Sequence, residues 1–316
     1  MANKFRISFL SCFIITLVIT LASLVLRTYN MLTGFDIATG NFDATAARTA
    51  WLVLIMVTVI LAAVVLILLR RLDGLRVLYD DIPTIFSSAF MIIVLIAYAS
   101  NAAVSAVNGT HMGVALAFSI ISAILGLASA VFFVCILLKS PKAENMRSAF
   151  AVVCVVFCCS LAFFLYTEND LFVTSPIKIL HIASVMATAF FFLGECRIAL
   201  NKTLWGLYIA VGFLALVLTV TDSVSCLIYI PARGTEEIGS SAYAFLVFAF
   251  ALYIFSRILA IYLLNAKNVK GLLAVFDKST ERLDKSAPEI DEEENEPEQL
   301  HIEIEKTETA TEETAN

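Results

Sequence analysis

Apolar residues along this chain gather into eight long runs instead of alternating with polar ones. A helix rises about 1.5 Å per residue, and a bilayer core about 30 Å thick needs about 20 apolar residues to cross it. The runs that meet this length are 7–26, 51–69, 85–107, 112–138, 148–166, 177–196, 204–230 and 242–264. Most are apolar all round, the pattern of helices surrounded by lipid. The third is the most polar, with Ser100, Asn101 and Ser105, and lies between Pro83 and Asn108-Gly109. The pattern predicts an all-α, polytopic transmembrane helix bundle of eight spans, followed by a disordered acidic C-terminal tail. Lys4 and Arg6 precede the first run as they would a signal peptide. Its apolar stretch exceeds the 7–15 residues usual there, so we expect an uncleaved anchor.

Composition agrees. Of 316 residues, 60% are apolar and 15% charged, with a mean hydropathy of +0.90. Soluble domains are nearer half apolar and a quarter charged. This excludes a soluble enzyme, a nucleic-acid binder or a disordered scaffold as a reading of the whole chain. The formal charge of −6 is divided unevenly. Residues 1–276 carry 17 Lys/Arg and 12 Asp/Glu, and residues 277–316 carry 4 and 15. With the N-terminus placed in the cytoplasm, the inner segments hold twelve Lys/Arg. The outer segments hold four: Arg27, Arg48, Lys178 and Arg233. The positive-inside rule then predicts a multi-pass plasma-membrane protein with both termini cytoplasmic.

Beyond the last span, Val269, Leu272, Phe276 and Leu283 recur near heptad spacing, so residues 267–285 read as a cytoplasmic amphipathic helical extension. Residues 286–316 are rich in Glu and Thr and too poor in large apolar residues to build a core. The expected partners are the lipid bilayer and a cytoplasmic protein docking on 267–316, with no nucleic acid.

The seven cysteines lie within or at the ends of spans, which is no disulfide framework. Cys154 and Cys158 share a helix face. No His or carboxylate in that span completes a metal shell, so they read as small packing residues, and no metal or other cofactor is expected. Ser122, Gly126 and Ala130 recur every four residues as a face for close helix contact. The outer segment 27–50 is long enough to cap the bundle, but Gly34 and Gly40 suggest a polar turn.

Ionisable residues inside spans are the best pointers to function, since each costs about 2.5–3.5 kcal/mol at a helix centre. Asp222 lies in the seventh run among Thr219, Thr221, Ser223 and Ser225. His181 lies one turn inside the sixth, three residues after Lys178 and on the same face. Ser175-Pro176 reads as an N-cap and first helical position. Pairing of Asp222 with His181 or Lys178 would offset burial. At the other end, Glu195 and Arg197 are two apart and cannot share a face, so Arg197 snorkels outward while Glu195 pairs with Arg257. Asp222, His181, Lys178, Glu195 and Arg257 are therefore the candidate ligand or ion-pair residues. No catalytic residue is assigned.

Phosphate-binding glycine loops, HExxH and GxSxG are absent from the sequence. The segment Gly194-Glu195-Cys196-Arg197-Ile198-Ala199-Leu200, with Thr33-Gly34-Phe35, resembles a group of uncharacterised bacterial eight-span membrane proteins. That resemblance implies a bacterial inner membrane and no known activity. Two function classes follow. One is a non-enzymatic sensor or adaptor coupling an outer polar corner to the cytoplasmic tail. The other is a small-solute transporter using the charged groups on helices 6–8. Clear internal repeats, which would favour the transporter, are not evident.

Overall fold

A computed structural model of the chain describes residues 2–36, 41–42, 46–69, 79, 81–110, 112–138, 141–168, 175–200, 202, 204–233 and 240–284. The helices are α1 (Ala2–Gly34), α2 (Ala46–Leu69), α3 (Ile82–Val107), α4 (Gly113–Leu137), α5 (Pro141–Thr167), α6 (Pro176–Ala199), α7 (Trp205–Arg233) and α8 (Ser241–Asp284). Two short strands, β1 (Phe35–Asp36) and β2 (Asn41–Phe42), pair antiparallel between α1 and α2. Eight helices are long and apolar enough to cross a membrane. The chain is an all-α, polytopic membrane protein. Helices satisfy their own backbone hydrogen bonds, as lipid requires.

The chain divides into two units, Met1–Gly271 and Leu272–Asn316. The first holds the bundle. Of the second, only the last turns of α8, to Asp284, are among the described residues, and the predicted acidic tail lies outside them.

Within the bundle, α3, α4, α5, α6 and α7 pack in sequence order, and α1 and α2 both pack against α7. The α8 span is the most enclosed, 72% buried against 17% for α2. Its side chains reach almost every other element. Phe255 stacks on Phe13 of α1 and Ser256 hydrogen-bonds Ser87 of α3. Tyr253 meets Phe133 of α4, and Phe250 meets Phe157 of α5. The eighth helix is thus a central post.

The small-residue face of α4 packs as expected. A Cβ at Gly126 would stand 3.3 Å from Phe157 Cε2, and Ser122 Oγ lies 3.1 Å from Tyr98 OH. Cys154 and Cys158 are buried, with Cys154 Sγ donating to the Ser129 carbonyl at 3.9 Å.

One boundary is corrected. The first run was expected to end at 26, leaving Arg27 in the outer segment. Instead α1 continues to Gly34, and Arg27 is fully buried within it. The charge lowers local hydropathy and so truncates the apolar run, but the backbone stays helical. The outer segment also holds a two-stranded ribbon, in which Phe42 is buried and packs on Phe35.

Candidate functional site

Two polar clusters sit at opposite ends of the same three helices. Each helix carries a pair of residues fourteen apart, one in each cluster: His181 and Glu195 on α6, Tyr208 and Asp222 on α7, and Tyr243 and Arg257 on α8. Fourteen residues span about 21 Å of helix.

The first cluster centres on Asp222, which is fully buried. His181 Nδ1 lies 2.6 Å from its Oδ1. Its Oδ2 accepts from Ser184 Oγ at 2.7 Å and from Tyr243 OH at 2.9 Å. Tyr243 OH also lies 3.2 Å from the His181 carbonyl, and its ring packs edge-on to the imidazole. Pro176 opens α6 and Ser175 before it is extended, which sets His181 just over one turn into the helix. Of the two partners expected for Asp222, the geometry supplies His181. Lys178, also buried, donates to the backbone carbonyl of Glu168.

Three helices thus converge on one carboxylate, which orders them through charge-assisted hydrogen bonds. His181, Asp222 and Cys226 also place one nitrogen, oxygen and sulfur atom within 4.8 Å of one another. This is the one such trio among the described residues, and its donor types suit a borderline-soft cation. Both Asp222 oxygens are already engaged by protein donors, so a metal would have to displace them.

The second cluster centres on Glu195, also fully buried. Arg257 Nε lies 2.9 Å from Oε1, and Nη2 lies 3.5 Å from Oε2. Tyr208 OH donates to Oε1 at 2.5 Å and Tyr79 OH to Oε2 at 2.8 Å. The Tyr79 ring is flanked by two guanidinium groups, those of Arg257 and Arg147, each 4.0 Å from its centroid. Burial, and then the Glu195 carboxylate, hold the Tyr79 phenol protonated well above its ordinary range. Tyr79 lies between α2 and α3 in the chain and is itself held at this end of the bundle. Arg197 is exposed, as its position two residues from Glu195 requires, and lines a groove of about 290 Å³ between α6 and α7.

Between the clusters the core is aromatic. Phe132, Phe133, Phe192 and Tyr253 meet at centroid distances from 5.1 to 6.4 Å, mostly edge to face. Such contacts pack tightly and exclude water.

Sequence reasoning missed Arg27, Tyr79, Arg147, Ser184, Tyr208 and Tyr243. Arg27 lies buried near the first cluster, its guanidinium carbon 4.9 Å from the Phe42 ring centre and 4.7 Å from that of Trp51. Tyr208 and Tyr243 stand two heptads before Asp222 and Arg257, but that spacing names no partner for them. Tyr79 lies outside any span and carried no signal. No protein-family model, curated protein or solved structure matches the chain.

Proposed function

We propose that this membrane protein is a non-enzymatic receptor. The Asp222 end receives a signal outside the cell, and α8 conveys it to a cytoplasmic partner on residues 267–316. One observation carries this reading: the most enclosed helix supplies both Tyr243 to the Asp222 cluster and Arg257 to the Glu195 cluster. A change at either carboxylate therefore acts on the register or tilt of a single post. Clusters with two discrete hydrogen-bonding arrangements are suited to such coupling.

The orientation proposed is the one with the larger number of cationic side chains in the cytoplasm. The test uses a Ser279→Cys chain in inverted membrane vesicles and a membrane-impermeant maleimide. Asp222→Asn should change the labelling rate at 279 several-fold with the protein level unchanged. An unchanged rate would sink the receptor reading.

The alternative is a small-solute permease. Its support is the placement of two polar clusters at opposite ends of α6–α8 around an aromatic plug, as paired gates would require. Solute uptake by reconstituted vesicles, abolished by Asp222→Asn, would decide for it.

A further inference from the structure

Arg27 is the least compensated charge among the described residues. Its side chain is fully buried, and Nε, Nη1 and Nη2 have no hydrogen-bond partner among the described residues. A guanidinium offers five N–H donors and stays charged under all physiological conditions. Leaving it buried and unpaired carries a heavy penalty. Cation–π contact with Phe42 and Trp51 recovers part of that and satisfies none of the donors. Trp51 Nε1, beside it, is a further buried donor without an acceptor among the described residues. Among the described residues, the donors at this corner therefore lack a hydrogen-bond acceptor.

We infer that Arg27 binds the carboxylate of a small organic monoanion with an apolar body. The guanidinium fork matches a carboxylate in its plane, through two parallel charge-assisted hydrogen bonds. A monoanion is preferred to a phosphate dianion because there is one guanidinium here and Asp222 is close enough to act on it electrostatically. The apolar body is called for by the surround. Phe42 and Trp51 flank Arg27, and Phe35 packs on both Phe42 and Tyr229. Phe42 belongs to the β1–β2 ribbon and Trp51 to α2, so the ribbon supplies one of the two rings that cover the guanidinium. This inference gives the proposed receptor a ligand class. It is tested by binding alone, so a failure of signalling through α8 leaves it standing.

The chain has two tryptophans, Trp51 at this corner and Trp205 at the start of α7. Trp205→Phe makes Trp51 the sole tryptophan reporter. The full chain in phosphatidylcholine nanodiscs is titrated with benzoate, and with chloride and inorganic phosphate at matched ionic strength. Benzoate should change Trp51 emission saturably, and Arg27→Lys should move the midpoint at least about 10-fold higher, the loss expected for a bidentate contact. Benzoate should also raise the thermal unfolding midpoint of the unsubstituted chain, while chloride leaves it unchanged. This second readout decides the matter if Arg27→Lys does not accumulate. No saturable response to benzoate, equal midpoints with Lys at 27, or a flat unfolding midpoint would overturn the site. Tighter binding of phosphate than of benzoate would overturn the monocarboxylate assignment.

Discussion

The ring of Tyr208 lies against Gly194 so closely that a Cβ at 194 would stand 2.6 Å from Tyr208 Cδ2. Glycine here is a matter of space between α6 and α7, and that closeness lets the Tyr208 hydroxyl reach Glu195 one residue further on. Gly194→Ala must push the ring away and lengthen that hydrogen bond. Overpacking of this kind costs about 1–3 kcal/mol. A lower thermal unfolding midpoint for Gly194→Ala is expected, and an unchanged one would refute the close-approach argument.

The pair of Glu195 and Arg257 should behave asymmetrically under mutation. Removing either partner alone leaves a buried, uncompensated charge and costs about 3–5 kcal/mol. Removing both, as Glu195→Gln with Arg257→Met, should recover much of the loss. Midpoints for the two single variants and the double variant form a cycle that measures the coupling. Independent, additive losses would argue against a direct pair.

Ser184 and Tyr243 both donate to Asp222 Oδ2. A hydrogen bond to a charged acceptor contributes about 1.5–3 kcal/mol. Ser184→Ala and Tyr243→Phe should each destabilise the chain within that range. Their combination should depart from the sum because they share one acceptor. Additivity within about 0.5 kcal/mol would indicate that the two donors act independently.

The excess of cationic side chains in alternate connections predicts a cytoplasmic C-terminus. A fluorescent protein fused after Asn316 should fold and emit, while alkaline phosphatase fused there should stay inactive. The reverse pair of results would invert the bundle and place the Asp222 end inside the cell.

Much of the architecture was legible because its cause is local. Each span is a run long enough to cross hydrocarbon, so a window of about 20 residues detects it. Asp222 with His181 or Lys178, and Glu195 with Arg257, were legible as candidate pairs as well. Charges inside spans are few, each needs a partner, and few arrangements satisfy them. Arg27 was assigned to a connection because one charge ends an apolar run in a window average. The backbone, whose hydrogen bonds do not depend on side-chain polarity, remains helical for two more turns.

The tyrosines show where such reasoning stops. Tyr208 and Tyr243 read as ordinary members of amphipathic or apolar helices, since a phenol is compatible with both lipid and core. Only the packing of α6, α7 and α8 reveals that their hydroxyls end on buried carboxylates. Tyr79 reaches Glu195 through a tertiary contact that no periodicity encodes.

By itself, the sequence determined the number of spans, their apolar character, the uneven division of charge and the candidates for two ion pairs. These follow from hydrocarbon thickness and from the cost of burying charge, which act residue by residue. The tertiary structure decided that α8 is the central post, that three helices build both clusters at fourteen-residue spacing, and that Arg27 lies inside beside two aromatic rings. Those facts depend on helix rotation and packing, and several neighbouring elements set these together.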